Sequence, residues 1–141
     1  CYIECDAVRQ RGRGLAEFGV ELPDRYVFEG AYTFESGLVC GKKLLAMTPR
    51  PTAAFAGNDE MAAGIYWAAR DAGLEIPRDL SIVGYDDNPT SLRLWPPLTT
   101  IRIPIENMGR LAANMLIKKT AVSDTEIVPA LVLRESTTAH G

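Results

Sequence analysis

Ile76-Pro77-Arg78-Asp79-Leu80-Ser81-Ile82-Val83-Gly84-Tyr85-Asp86-Asp87 reads as a turn built around Pro77, a short apolar strand, and two carboxylates at the strand's end. Leu80 to Tyr85 is nearly continuously apolar, the pattern of a strand covered on both faces, as in a parallel sheet. In open α/β sheets ligands sit beyond the carboxyl ends of the strands. Asp86 therefore occupies the position of a ligand-reading acid.

Upstream, Ala53-Ala54-Phe55-Ala56 is a second buried strand, entered past Pro49 and Pro51 and closed by Gly57-Asn58-Asp59. Between these strands Met61, Ile65, Ala68, Ala69 and Ala72 repeat at helical spacing, and Gly73 ends the helix. That stripe leaves Tyr66 and Trp67 off the core side. Tyr26-Val27-Phe28 has the aromatic and β-branched content of a strand, with Gly30-Ala31-Tyr32 as the loop beyond it. Thr33 is suited to cap a helix over Phe34–Met47, in which Leu38, Gly41, Leu44 and Leu45 share a face and Lys42 and Lys43 point to solvent. A rougher helical pattern runs from Glu4 to Phe18, weakened by Gly12 and Gly14, and Gly19 can close it.

Downstream, Asn88 to Pro97 is irregular and Leu98 to Ile103 is again strand-like. Pro104 opens a helix whose apolar face is Ile105, Met108, Ala112, Met115 and Leu116, with Lys118 and Lys119 at its favourable end. Glu126–Val128 and Leu131–Leu133 read as short strands around Pro129, and Thr137–Gly141 as a frayed tail. Strands alternating with helices of this length predict right-handed βαβ units. The expected fold is α/β, a parallel sheet flanked by helices.

A chain of 141 residues fits one compact domain, and 47% hydrophobic with 23% charged residues is ordinary globular material. The formal charge of −3 leaves no footprint for nucleic acid. No apolar run reaches the ~20 residues of a membrane span. The chain opens on Cys1 rather than Met, so its natural start is expected upstream. Cys1, Cys5 and Cys40 form neither a disulfide set nor a zinc spacing; free thiols in a reducing cytoplasm are expected.

Three strands thus deliver polar or aromatic groups to one edge: Tyr32, then Asn58 and Asp59, then Asp86 and Asp87. An amide and a carboxylate there can bond hydroxyls, and an aromatic can stack on a ring. Each residue has another role open to it. Asn58 or Asp59 can cap the helix near Met61, and Asp86 or Asp87 can hold the Asn88-Pro89 turn. Paired acids also suggest a metal or acid–base chemistry, but neighbours on an extended chain point opposite ways. His140 lies in the tail, Cys40 lies on a helix among apolar neighbours, and no glycine-rich phosphate loop follows a strand. Catalysis, a cofactor and a metal are not expected.

Pro51 to Gly64 and Ala72 to Asp87 resemble signatures of the LacI/GalR family of bacterial transcriptional regulators. Pro96-Pro97-Leu98-Thr99-Thr100-Ile101, Met108-Gly109-Arg110-Leu111-Ala112 and Leu133-Arg134-Glu135-Ser136-Thr137 resemble its later motifs at the usual spacing. The resemblance covers about Gly30 to Thr137. It implies a two-lobed core shaped like a periplasmic sugar-binding protein of type I, coupled in the family to a helix-turn-helix head. In that architecture residues 1–103 belong to the C-terminal lobe, 104–128 cross to a first lobe largely outside this chain, and 129–141 return.

The family's effector contacts fall by motif on Tyr32, Asn58 and Asp86, and on Arg9 in Arg9-Gln10-Arg11-Gly12, although the spacing from Gly12 to Leu15 is shorter than usual. Ile103 stands where many members have a ligand-reaching glutamine, which permits a less polar effector. The family dimerises through surfaces that here carry Tyr66, Trp67, Leu94 and Trp95. The resemblance implies as partners a small-molecule effector of the sugar or related polar class, a second copy of the chain, and operator DNA only through a head not present here. A periplasmic solute-binding protein for sugar transport is the rival within the same fold. The helix from Ile105 to Leu116 is expected to cover its apolar face within the chain or on another one.

Overall fold

In the computed structural model, which describes residues 2, 3, 17, 19, 21–118 and 127–139, strands and helices alternate along the chain. Strands β1 (Tyr2–Ile3), β2 (Val27–Phe28), β3 (Ala53–Ala56), β4 (Ser81–Asp86) and β5 (Thr99–Arg102) pair in parallel. Strand β6 (Ala130–Val132) closes the edge antiparallel to β5. The order across the sheet is β2-β1-β3-β4-β5-β6. The helices are α1 (Phe34–Leu45), α2 (Asp59–Asp71), the single turn α3 (Thr90–Arg93) and α4 (Ile105–Lys118).

The core forms where α1 and α2 meet the sheet. Leu44, Met61, Ile65, Leu80, Ile82 and Leu98 are fully buried there, with Ala54 and Ala56 of β3 beneath the helices. Thr33 caps α1 as expected: its hydroxyl accepts the Ser36 N–H at 3.2 Å while Ser36 Oγ accepts the Thr33 N–H at 3.3 Å. Two of the N–H donors left without intrahelical partners at the helix start are satisfied by this reciprocal pair. Lys42 and Lys43 are exposed, and Cys40 is buried, its thiol donating to the Glu29 carbonyl at 3.3 Å. Burial pushes the Cys40 thiol up, against a smaller opposite pull from Lys43, so it is a packing group with little thiolate character.

Close approach of the two helices depends on glycine. A Cβ at Gly64 would fall onto the Phe34 carbonyl and the Leu38 nitrogen, and one at Gly37 onto the backbone of Met61. A Cβ at Gly41 would lie 2.9 Å from that of Ala68. Backbone therefore lies on backbone along this seam, which seats α2 deeply between α1 and the sheet.

Several expectations shift. Strand β1 was not foreseen, because two residues carry too little pattern to announce a strand. The helix expected from Glu4 to Phe18 falls almost wholly outside the described residues, although Gly19 has the left-handed φ of 72° expected of its closing position. The irregular stretch from Asn88 contains α3. Ile127 and Val128 are not in a strand, since no neighbouring strand among the described residues offers them pairing; Glu126 lies outside those residues. The tail expected to fray is pinned at Thr138, whose N–H donates to Ser81 Oγ at 3.1 Å, and at Ser136, which is fully buried.

Helix α4 presents its apolar face uncovered. Ile105 is 66% exposed, Leu116 81% and Ile117 78%, so nothing among the described residues supplies the cover expected for this face.

The glycine seam yields a test. Gly64→Ala forces α1 away from α2 and is expected to lower unfolding free energy by about 1–3 kcal/mol, the usual cost of overpacking. Thermal and urea unfolding would show it; an unchanged midpoint would mean that α1 can retreat freely.

Candidate functional site

The carboxyl ends of β2, β3 and β4 meet at one edge of the sheet, and three of the residues there have backbone that L-amino acids rarely adopt. Tyr32 has φ 59°, Asp86 φ 106° and Asp87 φ 58°. Left-handed backbone at residues with a Cβ costs free energy and persists only where surroundings impose it. Hydrogen bonds from the β3–α2 junction reach the Tyr32 carbonyl and the N–H of Asn88, the residue after Asp87.

Asn58 is the N-cap of α2. Its Oδ1 accepts the Met61 N–H at 2.9 Å, and its Nδ2 donates to the Tyr32 carbonyl at 3.0 Å. The structure thus brings Tyr32 and Asn58 together, and it resolves the choice of cap in favour of Asn58. Asp59, one residue on, is 0% exposed. Its Oδ1 accepts the Thr100 hydroxyl at 2.6 Å and its Oδ2 the Asn88 N–H at 2.8 Å. Gly84 of β4 lies against it, where a side chain would collide with Oδ1. Burial raises the Asp59 carboxyl above the ordinary carboxylate range; the bonds from Thr100 and Asn88 pull it back, and the nearby charges of Asp86 and Asp87 push it up further.

The two acids that end β4 have different surroundings. Asp87 is turned inward, its side chain 6% exposed. Its Oδ1 pairs with Arg134 Nη2 at 2.5 Å and accepts Ser91 Oγ at 3.1 Å, while Oδ2 pairs with Arg102 Nε at 2.6 Å. Burial alone would raise its carboxyl, but the hydrogen bonds from Arg134, Arg102 and Ser91 outweigh it and hold the group below the usual range. Arg134 is itself 13% exposed and donates Nη1 to the Leu98 carbonyl at 2.7 Å. Asp86 instead lines a recess of about 590 Å³ beyond the sheet edge, with Arg102, Ile103, Glu106 and Asn107. Among the described residues no group of three His, Cys, Asp or Glu side chains is placed to hold a metal ion. Arg9 lies outside the described residues.

A second surface flanks α2. Trp67 is 55% exposed and Trp95 85%, with Leu94 half-buried against the core. They border a groove of about 580 Å³ that also takes in Phe34, Arg70 and Glu135. Phe34 meets Trp67 edge-on, with ring centroids 6.4 Å apart, and the Arg70 guanidinium stands 5.9 Å from the Trp67 ring. Tyr66 requires a correction. Expected off the core stripe beside Trp67, it is only 7% exposed and its hydroxyl donates to the Pro96 carbonyl at 2.9 Å. A single-stripe reading fails because α2 is packed on three sides, leaving Tyr66 little area for a partner.

Sequence reasoning missed Arg134, Arg102 and Thr100 as members of this constellation. The motif around Arg134 was visible, but no local spacing could join it to an acid 47 positions earlier.

Residues 8–137 match the family model of the periplasmic binding protein-like domain. The chain is 42% identical over 106 residues to catabolite control protein A of Priestia megaterium, covering 75% of this chain and 32% of that protein. It is 39% identical over 129 residues to the HTH-type transcriptional repressor PurR of Mannheimia succiniciproducens, covering 88% of this chain and 39% of that one. The structure of a LacI family transcriptional regulator from Lactobacillus casei with bound sucrose superposes with TM-score 0.82 at 26% identity, over 97% of this chain and 56% of that one. The chain therefore spans about a third of the length of these curated relatives.

The two buried acids predict opposite pH behaviour. The depressed Asp87 carboxyl contributes stability above its unfolded value that is lost as pH falls through the folded one. The raised Asp59 carboxyl contributes stability present below its unfolded value and lost as pH rises through the folded one. Urea unfolding between about pH 3 and 7 should show Asp87→Asn flattening the acid limb and Asp59→Asn removing a loss on the way up. At neutral pH Asp87→Ala, which strands Arg134, should cost about 3 kcal/mol. Arg102→Ala, whose side chain is 58% exposed, should cost under about 1 kcal/mol.

Proposed function

The chain belongs to the periplasmic binding protein-like domain family, and from that premise we propose that it is the effector-binding portion of a LacI-type transcriptional regulator. The observation that carries the reading is the division of labour at the end of β4. Asp87 is consumed by two arginines, while its neighbour Asp86 lines the recess beyond the sheet.

A small polar molecule, a sugar or a related ring compound, binds at this edge. Asp86 accepts hydrogen bonds from it, Tyr32 offers an aromatic face, and Asn58 adds a polar contact. Ile103 in the same recess adds an apolar wall. The sucrose-bound transcriptional regulator and the transcriptional repressor PurR among the relatives support a sensor over a transport component. The activity is recognition, without catalysis, in the cytoplasm. No helix of the described chain is long and apolar enough to cross a membrane.

Effector occupancy biases the protein between lobe arrangements by differential affinity, and that bias reaches operator DNA through a head elsewhere in the longer protein. The groove beside Trp67, Leu94 and Trp95 serves as the homodimer surface, its exposed aromatics suiting a packed interface.

Calorimetric titration of the full-length protein with glucose, sucrose, ribose and purine bases tests the effector class. At least one should bind, and Asp86→Ala should weaken it roughly 10- to 100-fold, the worth of hydrogen bonds to a charged group. Unchanged affinity removes Asp86 from the site, and failure of every compound overturns the ligand class. For the dimer, Trp95→Glu should shift sedimentation toward monomer at micromolar concentration; an unaltered dimer would place the interface elsewhere.

A further inference from the structure

The least expected group in the fold is a carboxylate without solvent access at the first residue of α2. Asp59 is not needed as a helix cap, since Asn58 already accepts the Met61 N–H. An apolar side chain would fill the same space without the cost of burying an acid. What an apolar side chain cannot do is accept two hydrogen bonds from two other elements. Asp59 accepts the Thr100 hydroxyl from β5 and the Asn88 N–H from the turn after β4. Gly84 leaves the hollow in β4 that the carboxylate occupies.

Asn88 directly follows the left-handed pair Asp86 and Asp87. We infer that Asp59 is a positioning residue for the ligand-reading turn: anchored by Thr100, its buried carboxylate fixes the Asn88 N–H and so holds Asp86 in the strained backbone that turns it to the recess. The inference rests on the proposed role of Asp86 as an effector contact. Asn58 does the matching job on the neighbouring loop, where its amide holds the carbonyl of left-handed Tyr32. Two adjacent side chains at one helix start thus fasten two strained loops, and Asp59 acts through Asn88 without touching the ligand itself. Its raised carboxyl accords with this burial, while the two hydrogen bonds offset part of the desolvation cost.

The test needs no knowledge of the effector. In the full-length protein, Asp59→Ala is expected to speed amide hydrogen exchange at Asn88 roughly 10- to 100-fold, the loss of one charge-assisted bond. Exchange at Ile65 and Ile82 in the core should stay unchanged, and a crystal structure should show Asp86 leaving its positive φ. Asp59→Asn supplies the conservative rescue, because its Oδ1 can accept the Asn88 N–H while its Nδ2 donates to Thr100 Oγ1. It should restore protection at Asn88, and it serves as the reporter if the alanine variant does not fold. Retained protection at Asn88 and an unmoved Asp86 in Asp59→Ala overturn the inference, as does fast exchange at Asn88 in a folded Asp59→Asn. Glucose and sucrose titrations on the same variants separate the two readings. A loosened turn with unchanged sugar affinity supports the positioning of the turn by Asp59 and overturns the effector role of Asp86.

Discussion

Strands β1 to β5 run in one direction, and that constraint places every later feature. A parallel sheet needs crossover connections, so each strand must finish at the same edge and each helix must start there. Loop ends, helix N-termini and their capping groups are therefore concentrated along a single rim. The glycine seam between α1 and α2 tightens this arrangement. There backbone lies on backbone, and at the start of α2 Asn58 reaches the loop after β2 while Asp59 reaches β5 across the hollow left by Gly84.

Much of this was legible in the sequence because it is encoded locally. Ala53–Ala56 was bounded by Pro51 and Gly57, and Thr33 announced its own helix three residues before Ser36 answered it. The placement of Tyr32, Asn58, Asp86 and Asp87 along one edge followed from strand alternation alone. What could not be read was anything decided by a partner far along the chain. Asn and Asp are equally good caps, so Asn58 and Asp59 were indistinguishable until Thr100 was found against one of them. Tyr66 was misplaced because a helical stripe assumes one buried face. The direction of β6 was not legible either, since a short strand carries no mark of its orientation.

The rim also shows how little separation is needed to give like residues unlike character. Asp59 and Asp87 are both nearly inaccessible, yet one sits above the carboxylate range and the other below it. The difference lies in the donors. Asp59 is met by a neutral hydroxyl and a neutral amide, which only partly offset its burial. Asp87 is met by two guanidinium groups, which more than offset it. Burial pushes both carboxyls up, and the charge of the partners decides which way each finally moves.

Residues Arg134 to Thr138 stitch together strands made long before them. Ser136 takes the Ile82 N–H on its carbonyl, gives its hydroxyl to the Ile82 carbonyl at 2.6 Å and accepts the Thr99 N–H at 2.8 Å, while Arg134 closes on Asp87. A ribosome delivers these residues well after the strands that they join. Until they emerge, Asp87 lacks its buried cation and β4 and β5 lack the seam that locks their amino ends. The turn holding Asp86 and Asp87 is thus completed only once Arg134 has been made, which makes premature termination upstream of Arg134 a lesion of that turn as much as of the sheet.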